Sequence, residues 1–110
     1  MREVDVAIIG AGSAGLYALS QIRRETDSFV LINGGPYGTT CARVGCMPSK
    51  ALIQIAEHYH SRHHFEEGGI LGGDSLRVDR GVVLARVRAI RDRLVGGLKA
   101  NMIEPLGEKR

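Results

Sequence analysis

Cys41 and Cys46 are the chain's only cysteines, and four residues separate them. Thiols at that spacing can close a disulfide on each other, share a metal, or pack as small apolar side chains. The flanking residues favour the first of these. Pro48-Ser49-Lys50 opens a long apolar-periodic run, and proline suits the first turn of a helix, where its missing N–H is no loss. Cys46 then stands beside a helix N-terminus, whose positive dipole end favours a thiolate over a thiol. Lys50 adds a second positive charge one turn inside the same helix. Cys41 falls upstream in the loop, so the pKa depression is expected mainly on Cys46. Such a pair is equipped for thiol–disulfide exchange.

A second constellation lies near the N-terminus. Val4 to Ile9 is short, β-branched and apolar nearly throughout, as a buried parallel strand should be. It runs directly into Gly10-Ala11-Gly12-Ser13-Ala14-Gly15, and a helix follows with Leu16, Ala18, Leu19 and Ile22 as its apolar positions. A glycine triplet alone is commonly just a turn; between a strand and a helix it has the context of a dinucleotide cradle. Gly10 permits the tight turn, Gly12 lets the backbone approach a diphosphate, and Gly15 allows close helix–strand packing. The diphosphate would rest on the N–H groups that open the helix, those of Ser13 and Ala14 among them. Ser28 to Ile32 gives a second strand, ending at Asn33. A carboxylate is usual at that place to hold ribose hydroxyls. Asparagine offers one carbonyl oxygen instead, without the charge.

The stretch Gly38-Thr39-Thr40-Cys41-Ala42-Arg43-Val44-Gly45-Cys46-Met47-Pro48-Ser49-Lys50 resembles the active-site segment of the pyridine nucleotide–disulfide oxidoreductases. It is most similar to the dihydrolipoamide dehydrogenase branch, with mercuric and glutathione reductases as relatives. The family pattern runs Gly-Gly-Thr-Cys-x-Asn-x-Gly-Cys-x-Pro-Ser-Lys; this chain departs from it at Thr39 and at Arg43. The resemblance implies an α/β fold: the N-terminal part of a Rossmann-like FAD-binding domain over residues 1–110, built as β-α-β, a redox-disulfide loop and two long helices. It implies FAD held by Gly10, Gly12, Ser13, Ala14, Gly15, Asn33, Gly34, Thr40 and Lys50, with NAD or NADP used by the full-length enzyme. Cys41 would be the interchange thiol that meets a small dithiol such as dihydrolipoamide, Cys46 the thiolate on the flavin, and Lys50 a charge beside the flavin's redox-active nitrogen. A 2-oxo acid dehydrogenase complex and a homodimeric state are implied as partners. Family members are several-fold longer and add nicotinamide and interface domains, the latter with a catalytic histidine–glutamate pair. His58, His60, His63 and His64 do not match that histidine motif. The chain is therefore expected to be the N-terminal segment of such an enzyme, inactive by itself. Mercuric- or glutathione-reductase-like chemistry, a non-catalytic ADP- or FAD-binding module and a purely structural α/β fragment are the alternatives.

The remaining sequence supplies the scaffold. With 110 residues, 44% hydrophobic and 25% charged, the chain has the composition of one soluble globular domain with a modest core. No apolar stretch approaches the ~18 residues of a membrane span, and no secretory leader is evident. A close cysteine pair without other cysteines fits a cytoplasmic protein. From Pro48 a helical stripe runs through Leu52, Ile55, Ala56, Tyr59 and His63, stopped by Gly68-Gly69. The four histidines have no cysteine or ordered carboxylate set to complete a metal site, so none is expected. Asp79 is a fitting N-cap for a further helix carrying Val83, Val87, Ile90, Leu94 and Leu98. Its arginines, with scattered acidic residues and only 5% aromatics, read as a solvated face rather than a nucleic-acid surface. Gly96-Gly97 is expected to end that helix or pack tightly against a neighbour.

Overall fold

The computed structural model describes residues 3–110. Strands β1 (Val6–Ile9) and β2 (Phe29–Ile32) pair in parallel, with Val6 opposite Phe29 and Ile9 opposite Ile32. Helix α1 (Ser13–Glu25) makes the crossover between them. This is the β-α-β unit the alternation of apolar runs implies. Both strands begin later than expected, and the reason is local. The N–H groups of Asp5 and Val6 converge on the Ser28 carbonyl at 2.9 and 3.2 Å, and the Ser28 hydroxyl also accepts from Asp5. That shared acceptor ends the regular ladder at Val6.

One sheet face carries the core. Ile8, Phe29 and Leu31 pack with Leu16 and Leu19 of α1 and with Ile103 from the C-terminal segment. Leu19, Leu31 and Ile103 are fully buried. The opposite face holds Ile9, 84% exposed, and Ile32, 50% exposed. The sheet is therefore half covered. The C-terminal turns are tied down by Lys109, which donates to Asp27 Oδ1 at 2.8 Å and lies 4.8 Å from the Phe29 ring centre.

From this body the chain extends into an antiparallel helical arm. A short helix, α2 (Thr40–Val44), leads into α3 (Cys46–His60), and α4 (Arg80–Leu98) returns along it. The extents are 69 × 25 × 18 Å and the radius of gyration is 20.7 Å, against about 13 Å for a compact chain of this size. The inward face of α3 is Met47, Ala51, Ile55 and Tyr59, while Leu52, Ala56 and His63 are exposed. Ile55 and Tyr59 of the expected stripe thus face inward, and Met47 and Ala51 complete a four-residue row with them in place of Leu52, Ala56 and His63. In α4, Val83, Val87, Ile90, Val95 and Leu98 face inward, and Leu94 is more exposed than its neighbour Val95.

The helix ends also differ from expectation. α3 stops at His60, and tight turns at Ser61–His64 and Glu66–Gly68 follow before Gly69 takes a positive φ of 77°. The glycine pair caps the last turn and not the helix. Gly96 and Gly97 neither end α4 nor make room for a neighbour: no protein atom lies within 4 Å of a Cβ built at either. The helix continues to Leu98 and widens into a π turn over Lys99–Ile103, which places Ile103 against the sheet. Asp79 is the N-cap of α4, accepting from Gly81 and Val82 N–H at 3.0 and 3.1 Å.

Candidate active site

The cysteine pair is held by two consecutive helices. α2 forms because Thr39 caps it, its hydroxyl accepting from the Ala42 N–H at 3.0 Å. Cys41 therefore sits in a short helix and not, as expected, in a loop. α3 begins at Cys46 itself, two residues before Pro48. Gly45 eases the junction, since a Cβ there would stand 3.1 Å from the Thr40 carbonyl oxygen and 3.5 Å from the Cys41 Cα. A side chain at that position would have to push the Thr40 carbonyl back by a few tenths of an ångström. Both cysteines are free thiols, Cys41 half-buried and Cys46 exposed.

The two thiols interact, and they are driven apart in acidity. A hydrogen bond from the Cys41 thiol holds Cys46 below the usual thiol range, helped by its own backbone N–H and by the Lys50 charge. The same bond, partial burial and repulsion from Cys46 push Cys41 up. The expected asymmetry is present, but its leading cause is the partner thiol rather than the lysine. Lys50 is exposed one turn into α3, on the rim of a groove of about 530 Å³ between α3 and α4 that Met47, Gln54, Arg86 and Ile90 also line.

The glycine loop forms the second cluster. Gly10 adopts φ 98°, which favours glycine, and a Cβ on Gly15 would run into the Gly10 carbonyl. Gly15 therefore lets α1 close on the end of β1. Gly12 is different, for a Cβ there meets no protein atom within 4 Å. It is the N-cap residue of α1, and no side chain caps the helix. The first-turn N–H groups, with Ser13 and Ala14 exposed beside them, open on solvent-facing space. That cradle fits a diphosphate, the group that joins the two halves of a dinucleotide. Asn33, at the end of β2, does not project freely: Oδ1 accepts from the Ala11 N–H at 3.2 Å and Nδ2 donates to the Gly35 carbonyl at 2.7 Å.

The family model for pyridine nucleotide-disulphide oxidoreductases matches residues 4–105, from β1 through both clusters to the C-terminal turns. The chain belongs to this family. Among relatives of the pyridine nucleotide-disulphide oxidoreductases, a dihydrolipoyl dehydrogenase of Geobacillus stearothermophilus is 31% identical over 106 residues, 93% of this chain and 22% of that protein. One from Pseudomonas aeruginosa is 34% identical over 100 residues, 89% of the chain and 22% of the relative. A mercuric reductase of Streptomyces lividans is 45% identical over 56 residues, 51% of the chain and 12% of that enzyme. The chain thus spans about a fifth of the length of the dehydrogenases it matches. Its β-α-β unit, followed by α2, α3 and α4, is the N-terminal part of a Rossmann-like FAD-binding domain.

Of the residues singled out from sequence, Cys41, Cys46 and Lys50 lie within electrostatic reach of one another. Gly10, Gly12, Ser13, Ala14, Gly15 and Asn33 assemble around the β1–α1 turn. Gly34 and Thr40 are exposed at the two ends of the segment joining these clusters. Two contributors escaped sequence reasoning. Thr39 is legible afterwards as a helix cap, a threonine three residues before the N–H it satisfies. Ala11, buried and bonded to Asn33, carries no sequence signal, because its part is played by backbone.

Among the described residues no helix is long and apolar enough to cross a membrane. Nor, among the described residues, is a group of three or more histidine, cysteine or acidic residues placed to hold a metal.

Proposed function

We propose that these residues are the N-terminal portion of a flavin-dependent disulfide oxidoreductase acting on a small dithiol, with dihydrolipoamide the preferred class. The rest of the FAD domain, the nicotinamide domain and the interface domain of a homodimer would lie outside these 110 residues. The observation that carries the reading is the junction at Gly45, which brings Cys41 in α2 and Cys46 at the start of α3 together as an interacting pair of free thiols. In the oxidised pair a substrate thiolate attacks Cys41 Sγ, forming a mixed disulfide and breaking the Cys41–Cys46 bond. Cys46, the more acidic thiol, leaves as the thiolate, and the better leaving group sets which sulfur is attacked. The substrate's second thiol, losing its proton, then displaces Cys41. The substrate is released as a disulfide, and two electrons remain in the cysteine pair. Bound FAD would accept that electron pair and relay it to NAD or NADP.

Gly10, Gly12, Ser13, Ala14 and Gly15 would cradle the dinucleotide, with Gly34 and Thr40 beside it. Lys50 would favour negative charge near the reacting thiolate. A 2-oxo acid dehydrogenase complex in the cytoplasm is the corresponding setting. The test is oxidation of the reduced chain by a mild disulfide reagent, followed by peptide mapping. An intramolecular Cys41–Cys46 disulfide is expected. Oxidation only to intermolecular dimers or sulfenic acid would remove the reading.

A second reading runs electrons the other way, from reduced nicotinamide to a disulfide or Hg²⁺. The higher identity to a mercuric reductase over 56 residues favours it. Reduction of Hg²⁺ but not lipoamide by the flavin-loaded parent enzyme would select it.

A further inference from the structure

We infer that Asn33 is a positioning residue of the dinucleotide site and not a ribose ligand, so that the site grips a nucleotide's diphosphate with little dependence on its ribose hydroxyls. The inference rests on reading the Gly10–Gly15 loop as a dinucleotide cradle.

The orientation of the Asn33 amide follows from the chemistry of its two partners. The Ala11 N–H can only donate, so it must face the amide oxygen, at 3.2 Å. The Gly35 carbonyl can only accept, so it must face the amide nitrogen, at 2.7 Å. A flipped amide would set donor against donor at one end and acceptor against acceptor at the other. The side chain is therefore pinned at both ends, spanning the β1–α1 turn and the turn after β2.

What it holds matters for the cradle. Ala11 is 3% exposed and lies between Gly10, whose φ is 98°, and Gly12, the N-cap of α1. A backbone N–H in that place has no helical partner, and burying it unpaired would carry a desolvation penalty. Asn33 satisfies it, while Gly10 N–H donates to the Ile32 carbonyl at 2.8 Å. Two adjacent loop N–H groups are thus anchored to the end of β2, and the loop is presented to a ligand in one conformation.

The same commitment limits what Asn33 can still offer a ribose. A carboxylate at a strand end offers two charged oxygens to a vicinal diol. Asn33 is neutral and has one oxygen; one of that oxygen's lone pairs faces Ala11 and one of its two N–H groups faces Gly35, so a diol would meet one lone pair and one N–H, held at a fixed angle and without charge. Affinity must come from the helix N-terminus and the loop backbone around Gly12, which address phosphate.

A cycle of two nucleotides and two proteins tests this by calorimetry on the full chain. The probes are ADP and 2′,3′-dideoxy-ADP, which lacks both ribose hydroxyls. The native chain is expected to bind them within about threefold of each other, whereas loss of a working hydroxyl contact would cost about tenfold or more. Asn33→Ala, which frees the Ala11 N–H, is expected to weaken both by the same factor, because the loop is loosened for either ligand. A native preference for ADP of tenfold or more overturns the inference, and needs no variant to observe. So does an Asn33→Ala variant that loses ADP affinity alone, or loses none. If the native chain binds neither nucleotide, the cradle reading itself fails, and this inference falls with it.

Discussion

Cys41 and Cys46 interact through their thiols, and this interaction, more than Lys50, holds Cys46 below the usual thiol range while Cys41 is pushed up. A removable donor gives a prediction in two variants. In the reduced chain Cys46 should react with iodoacetamide at lower pH than Cys41, since alkylation follows the thiolate. Cys41→Ser retains an O–H donor and should leave the Cys46 midpoint low. Cys41→Ala removes the donor and should move that midpoint up toward the ordinary ~8.5 of a free thiol. Rates read by peptide mass spectrometry across a pH series check it. Coincident midpoints for the two cysteines, or an unmoved Cys46 in Cys41→Ala, would sink the claim.

Gly12 and Gly15 should separate binding from folding. A Cβ at Gly12 meets no protein atom, whereas one at Gly15 collides with the Gly10 carbonyl. Gly12→Val is therefore expected to lose ADP binding with only the small loss of stability that a poorer N-cap residue brings. Gly15→Ala should lower stability, because α1 must move off the end of β1, by about 1–3 kcal/mol. Circular dichroism melts and calorimetry distinguish the two. A Gly12→Val chain that still binds ADP would show that the diphosphate does not rest there.

How far the sequence predicted these clusters depended on the kind of interaction involved. Local signals carried well: Asp79 caps α4, Leu16 and Leu19 turn inward, and the glycine loop follows β1. Contacts made by backbone or by distant residues did not. Nothing in the run Lys99–Ile103 announces that a π turn will carry Ile103 back to Leu19 and Leu31. The exposure of Leu52, where Ala51 faces inward beside the expected Ile55 and Tyr59, has a similar origin. Leu52 is more apolar than Ala51, but α4 approaches the face that Ala51 shares with Ile55 and Tyr59, and packing overrides composition. The bond from the Ala11 N–H to Asn33 has no counterpart in side-chain chemistry, so sequence alone offers Asn33 only as a weakened ribose ligand. The cysteine asymmetry was foreseen in direction, yet attributed to the dipole and Lys50, because the closeness that Gly45 permits is tertiary.

Ile103 is the residue through which the C-terminal segment stabilises the sheet. It is fully buried with Leu19 and Leu31, although more than seventy positions separate it from either. Ile103→Ala should cost about 2–5 kcal/mol, the usual range for truncating a buried isoleucine. Urea denaturation followed by far-ultraviolet dichroism measures it. A loss below about 1 kcal/mol would mean that the sheet stands without the C-terminal turns.

The clasp between Lys109 and Asp27 should mark the acid side of the stability curve. The Lys109 ammonium donates to Asp27 at 2.8 Å and holds that carboxyl below its ordinary 3.8. A carboxyl whose folded pKa is depressed contributes stability that is fully present above its unfolded value. That contribution is lost as pH falls through the folded value, so the window lies below 3.8 and not near neutrality. Asp27 is well exposed, so the contribution is small and screened by salt. The expected result is a slightly shallower fall in melting temperature for Asp27→Asn than for the native chain between about pH 4 and pH 2. The difference should shrink in ~1 M salt, where the screening length is about 3 Å. Calorimetric melts of both proteins along that series decide it. Parallel acid limbs at low salt would show that the Lys109 contact is not formed in solution, leaving Ile103, Met102 and Leu106 to hold the C-terminal turns on the sheet by burial alone.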